Sequence, residues 1–246
     1  MSIRNSTSSR YLATVPTPRS EFWSGVRDIF PLIVGAIPFG IIFGTLGVSS
    51  GLSTGATLAM SVFVFAGSSQ FIAVGMIAAS TGWLLVVLVA FVVNLRHLLY
   101  AVSLLPYVKP LPQRWKIPLA FLLTDESFAV AIRRYESQAT SAYKHWHYLG
   151  AALFMYLNWL LCTFLGITLG RLIPNAADWG LDFAMSVTFI GMTIPYLKTR
   201  PMGLAVAIAA VVSLLTASFP HKLGLMVAAV AGIVAGTWSE RRLSNL

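Results

Sequence analysis

Apolar residues in this chain gather into eight long runs separated by short polar or charged stretches. The runs are Asp28–Val48, Leu52–Ser80, Trp83–Leu105, Ile117–Ile132, Tyr148–Leu172, Trp179–Leu197, Gly203–Phe219 and Leu223–Trp238. A helix needs about 20 mostly apolar residues to cross the hydrocarbon of a bilayer. A transmembrane β-barrel would instead show ten-residue segments of alternating polarity, and none occurs. The pattern therefore predicts an all-α, polytopic transmembrane helical bundle. Two runs depart from a simple span. Leu52–Ser80 is 29 residues long, too long for one straight crossing and too short for two. Its middle, Ala66-Gly67-Ser68-Ser69-Gln70-Phe71, is small and polar between apolar flanks. Ile117–Ile132 carries Thr124-Asp125-Glu126 at its centre. Both read as discontinuous or re-entrant helices, near 52–80 and 117–132, which gives 6–8 membrane segments in all.

Composition supports the membrane reading. The chain of 246 residues is 57% hydrophobic and 10% charged, with a mean hydropathy of +0.78. A soluble domain carries about 25% charged residues. No Asp, Glu, Lys or Arg occurs in the 67 positions from Ile29 to Leu95. The net charge of +9 does not point to nucleic acid, because the basic residues lie in short clusters between apolar runs. Such clusters set membrane orientation instead, Lys and Arg favouring the cytoplasmic side. Eight simple spans with the N-terminus inside would leave 11 basic residues inside and 5 outside, with Arg96 buried. With both irregular runs re-entrant, six segments span and the distribution becomes 14 against 2. Both arrangements put the two termini in the cytoplasm. Residues 1–20 read as a disordered cytoplasmic tail and 21–246 as a single transmembrane domain of a multi-pass inner (plasma) membrane protein. Cys162 is the only cysteine, so neither a disulfide framework nor a cysteine zinc site is expected. No metal and no cofactor are expected.

Charges at bilayer depth are costly and mark functional positions. Asp125 and Glu126 are the only charges between Lys116 and Arg133. Arg96, followed by His97, lies about equally far from both ends of Trp83–Leu105, and shares a helical face with Tyr100 and Ser103. Arg96 is the only basic side chain, charged at neutral pH, at the depth of the two carboxylates. It is therefore expected beside Asp125 or Glu126. Arg96, His97, Asp125 and Glu126 form the candidate set for charge pairing or proton coupling. Gly67, Ser68, Ser69 and Gln70, with Asp125 and Glu126, form the candidate substrate-binding set. A broken helix at mid-membrane offers free N–H groups and the positive end of its dipole to an anionic group. The blander possibility is a small-residue packing contact in which the serines bond back to their own helix.

Taken together, Ala-Gly-Ser-Ser-Gln-Phe (66–71), Arg-His-Leu-Leu-Tyr (96–100) and Leu-Thr-Asp-Glu-Ser-Phe (123–128) resemble the AzlC-type branched-chain amino acid permease family. The resemblance covers about Trp23 to Trp238 and is strongest in the first half. It implies export of branched-chain amino acids with a small, separately encoded AzlD-type membrane subunit. A zwitterion would then place its carboxylate at Ser68, Ser69 and Gln70, and its ammonium at Asp125 or Glu126. Phe65, Phe71 and Phe128 are candidates for its apolar pocket. The chain has no phosphate-binding G-x-x-x-x-G-K-[ST] loop, so an ion gradient or downhill flow must supply the energy. Proton coupling follows if a desolvated carboxylate takes up a proton. A non-enzymatic transporter is the expectation. An intramembrane hydrolase using Ser68 or Ser69 with His97, or a channel, are the alternatives.

Overall fold

The computed structural model describes residues 16–138, 141–172, 190, 194, 197–219 and 223–244. These residues form helices. In chain order they are α1 (Pro18–Ser49), α2 (Thr54–Phe63), α3 (Gly67–Ala78), α4 (Trp83–Val108), α5 (Gln113–Phe121), α6 (Asp125–Glu136), α7 (Lys144–Leu172), α8 (Arg200–Leu215) and α9 (Leu223–Ser244). Three of them, α1, α4 and α7, are long and apolar enough to cross a membrane. The apolar run Trp179–Leu197 lies almost wholly outside the described residues.

The first helix starts earlier than its apolar run. Pro18 suits a first helical turn, and Thr17 with Ser20 closes a capping box around the free N–H groups. The tail therefore ends before residue 18, and residues 1–15 lie outside the described set. α6 likewise continues past Ile132 through the expected linker to Glu136, with Arg133 and Arg134 in its last turn, where cations complement the helix dipole.

The core is built on α1 and α7, which run parallel. Their backbones touch at small residues. A Cβ on Gly25 would lie 2.0 Å from the His147 carbonyl oxygen, and one on Gly44 would lie 2.2 Å from that of Thr163. The Thr45 hydroxyl donates to the Gly166 carbonyl at 2.9 Å across the same seam. Glycines spaced by four are what such close approach requires. At the end where both helices begin, Arg134 of α6 pairs with buried Glu21, and His147 pairs with Asp28 at 2.9 Å.

Because α1 and α7 are in register, α7 serves as a ruler for the short helices. Thr57 packs against Gly47, near the far end of α1. One turn on, Ser61 bonds Thr163 at 2.8 Å, and the Tyr156 hydroxyl then reaches the Val62 carbonyl at 3.0 Å. α2 thus descends from the far end to mid-height. α3 turns back: Gly67 lies against Trp159, Gln70 donates to Ser61 at 3.1 Å, and Phe71 meets Phe43. The second pair is its inverse. Trp115 packs on His145 and Trp146 at the start of α7, the Tyr148 hydroxyl reaches the Leu119 carbonyl at 2.8 Å, and Phe121 meets Tyr156 at mid-height. α6 then returns to the starting end, where Lys144 donates to the Tyr135 carbonyl at 3.1 Å. Both irregular runs are re-entrant hairpins, entering from opposite ends and turning at the same level. α4 runs the full height between them.

α8 and α9 form an antiparallel pair joined through small residues. A Cβ on Gly232 would lie 2.9 Å from the Ala205 carbonyl oxygen, and Gly236 faces Ala205 and Pro201. Outward-facing side chains such as Trp83, Leu84, Phe91, Leu98 and Leu99 on α4 are apolar and exposed, as lipid requires.

Candidate functional site

The two hairpin tips meet α4 at mid-height. The tip of the first is the turn Val64–Ala66, where Phe65 adopts φ +40°. That left-handed conformation is unfavourable for a bulky residue by about 1–3 kcal/mol, so the surrounding packing must hold it. No side chain caps α3, whose N-cap position is Ala66. The tip of the second hairpin is capped fully. Thr124 accepts from the Ser127 backbone at 3.3 Å, and the Ser127 hydroxyl accepts from the Thr124 N–H at 2.8 Å. Asp125 and Glu126 then fill the first turn of α6, where its dipole favours negative charge.

Arg96 joins both tips. Its Nη1 lies 2.9 Å from Asp125 Oδ2, and its Nη2 donates to Ser68 Oγ. The Tyr100 hydroxyl donates to the other Asp125 oxygen at 2.6 Å. Ser69 donates to the Asn94 side-chain carbonyl at 2.6 Å. Neither serine bonds back to its own helix; both reach across to α4. The Arg96 and Asp125 side chains are 29% and 18% exposed, so the pair is half-buried and reachable. The Nε of Arg96 is buried and has no partner among the described residues.

The remaining candidates take different places. Glu126 sits beside Asp125 but belongs to none of the three ion pairs among the described residues. Gln70 is fully buried; its amide bonds Ser61, which bonds Thr163, so it fastens α3 to α2 and α7. Gly67 lies against the Trp159 ring, which leaves room for no larger residue without movement. His97 Nδ1 lies 3.3 Å from the Asn94 carbonyl oxygen, and its ring meets Tyr100 edge-on. It makes no bond with Ser68 or Ser69, so the nucleophile–base pair of a hydrolase is not assembled. Ser103, on the face predicted to be polar, points outward and bonds back to Leu99. Of the three phenylalanines, Phe128 stacks on Tyr100 at 4.5 Å, beside the pair. Phe65 and Phe71 pack instead into the core, on Tyr156 and Phe43. No group of three His, Cys, Asp or Glu side chains that could hold a metal occurs among the described residues.

Asn94 and Tyr100 complete the site, and nothing in the sequence assigned them partners. Their signal was present: polar residues one turn either side of an intramembrane arginine share its face within about 40° or less.

Half-buried charges held between broken helices, inside a bundle whose outer surface is apolar, define a polytopic helical membrane protein. The family described as "AzlC protein" matches residues 31–173, which include every residue of the site, and the chain belongs to this family. An uncharacterized membrane protein of Archaeoglobus fulgidus is 30% identical over 219 residues, covering 88% of this chain and 94% of that one. Inner membrane protein YgaZ of Escherichia coli is 28% identical, covering 90% and 92%. The branched-chain amino acid transport protein AzlC of Bacillus subtilis is 29% identical, covering 74% and 72%. No solved structure matches the chain.

Proposed function

We propose that this chain is the large subunit of a proton-coupled exporter of small neutral amino acids, branched-chain ones foremost, and that it works with a small AzlD-type membrane subunit. The observation that carries the reading is the bridging of both hairpin tips by Arg96 at mid-height. Secondary transporters place substrate sites where broken helices meet at the bilayer midplane. The uncapped N-terminus of α3, with Ser68, Ser69 and Arg96, suits a carboxylate. Asp125 suits an ammonium that competes with Arg96. Phe128 and Tyr100 offer an apolar wall to an aliphatic side chain. Glu126, outside any ion pair, is the candidate proton carrier. The transport named for the Bacillus relative supports the same substrate class.

Orientation follows the charges. The end where α1 and α7 begin collects Arg19, Arg27, Lys109, Arg114, Lys116, Arg133, Arg134 and Lys144, while Arg171 lies at the other. This places the first end in the cytoplasm. The test is efflux of radiolabelled leucine, valine, methionine and lysine from proteoliposomes holding this chain with its co-purified partner. Leucine efflux should be saturable and pH-dependent. Normal efflux with unchanged pH dependence in both Asp125→Asn and Glu126→Gln would make the carboxylates structural and overturn the mechanism.

A further inference from the structure

Below the central site, α4 and α6 stay in register. Tyr100 stacks on Phe128 at 4.5 Å and 14°, and seven residues on in both helices Tyr107 stacks on Tyr135 at 4.8 Å and 12°. Seven residues are two helical turns, roughly 10 Å. The seam therefore runs from Asp125 to the end of the bundle where α7 begins, and there it opens into a cavity of about 690 Å³. The cavity is lined by the Tyr107 and Tyr135 rings and by Ser137, Gln138, Ser141 and Lys144, among others. Its volume falls within the range of small-molecule sites.

Two features of the lining point to a ligand. Tyr135 is 9% exposed, yet its hydroxyl has no hydrogen-bond partner among the described residues. A buried hydroxyl without a partner is unfavourable by about 1–3 kcal/mol, so such a group calls for an acceptor from outside the fold. Second, the described lining holds one ammonium, Lys144, and no carboxylate. Lys144 donates to the Tyr135 and Ser137 carbonyls at 3.1 Å each, which uses two of its three protons. An ammonium and a phenol hydroxyl with a donor to spare, beside stacked rings, suit a carboxylate carried on an apolar group.

We infer that this cavity is a second, outer binding site for the carboxylate end of the transported amino acid, on the path to Asp125, with Tyr135 and Lys144 as its recognition groups. The inference rests on the proposed transport function and adds a vestibule in which substrate waits before the Tyr100–Phe128 layer. Phe128 and Tyr100 separate the two sites, so each can hold ligand while the other is empty.

Gln138 is exposed at the cavity mouth, and the native Cys162 is buried, which allows a thiol test. The Gln138→Cys variant, in nanodiscs with both faces open, is labelled with a hydrophilic maleimide under rising leucine. Leucine should slow labelling at least threefold, and leucinamide, which lacks the carboxylate, should not. Adding Tyr135→Phe keeps the ring stack and removes one bond to a charged ligand. It should raise the half-protecting leucine concentration about tenfold. Adding Asp125→Asn should leave protection unchanged. Equal protection by leucinamide, loss of protection with Asp125→Asn alone, or no protection at all would overturn the outer site. Wild-type leucine efflux is measured in parallel. Efflux without protection removes the outer site and leaves the transporter; protection without efflux keeps the site and removes leucine transport.

Discussion

The two re-entrant hairpins have the same shape and opposite chemistry. Each sends a short helix to mid-height, turns over three residues, and returns by a second helix whose N-terminus faces α4. Ser68 and Asp125 are the residues that each offers to Arg96, and each is followed three positions later by a phenylalanine. The α6 tip is closed: its N–H groups are answered by Thr124 and Ser127, and its dipole by two carboxylates of its own. The α3 tip is open: Ala66 caps nothing, and only neutral hydroxyls surround its positive end. One hairpin is complementary to a cation and the other to an anion. A zwitterion needs both, and Arg96 holds the two ends together in the form seen here.

The comparison fails most visibly if charge at the α6 tip is dispensable. Asp125→Asn preserves the Tyr100 contact and removes the charge. It should lower leucine efflux about 100-fold, the value of roughly 3 kcal/mol in a charge-assisted interaction. Ser68→Ala should lower it only about threefold, because a neutral hydroxyl contributes about 0.5–1.5 kcal/mol net. Equal losses would erase the distinction between the tips. Next comes the opposite direction of the hairpins. Gln113→Cys and Gly55→Cys are both exposed at hairpin mouths, and nothing lies close to a side chain at 55. In intact cells an impermeant maleimide should label Gly55→Cys at least about tenfold faster, since Gln113 lies among Lys109, Arg114 and Lys116 on the cytoplasmic side. Rapid labelling at both positions would favour eight simple spans. The smallest effects test the caps. Ala66→Ser supplies the missing α3 cap and should raise thermal stability by about 0.5–1 kcal/mol while weakening leucine binding a few-fold, as the new hydroxyl occupies the anion's place. Thr124→Ala should cost about 1 kcal/mol with less effect on affinity. Isothermal titration and thermal unfolding in detergent read both; a tighter-binding Ala66→Ser variant would show that the substrate carboxylate docks elsewhere.

The tips were legible because polar residues are scarce here. In a run otherwise free of charge, Asp125 and Glu126 announce a break, and Arg96 has few possible partners, so its place beside Asp125 follows from depth alone. Small residues at 66–69 gave the other break. The parts that were not legible depend on pairs distant in sequence. Gly40 and Gly44 signalled a close neighbour, but nothing in them specified α7, or that it runs parallel. Ser61, Thr163 and Thr45 look like ordinary small residues until the backbones meet. Gln70 read as a substrate group because it adjoins the serines, whereas one helical step of about 100° turns it toward α7. The ion pair of Glu21 with Arg134 joins residues that sequence reading left in a tail boundary and a linker.

The glycine contacts between α1 and α7 have a mechanical meaning. Where backbone rests on backbone there are no rotamers to exchange and no side chains to interdigitate differently, so the pair has a single spacing and little room to slide. The hairpins are held otherwise, by hydroxyls, stacked rings and one guanidinium, all of which can release and re-form. The fold thus divides into a stiff post and two movable jaws, and the jaws close on the same rod from opposite sides. A cross-link fixing α1 to α7 should leave efflux unchanged, whereas one fixing α4 to α6 at the level of Tyr100 should stop it.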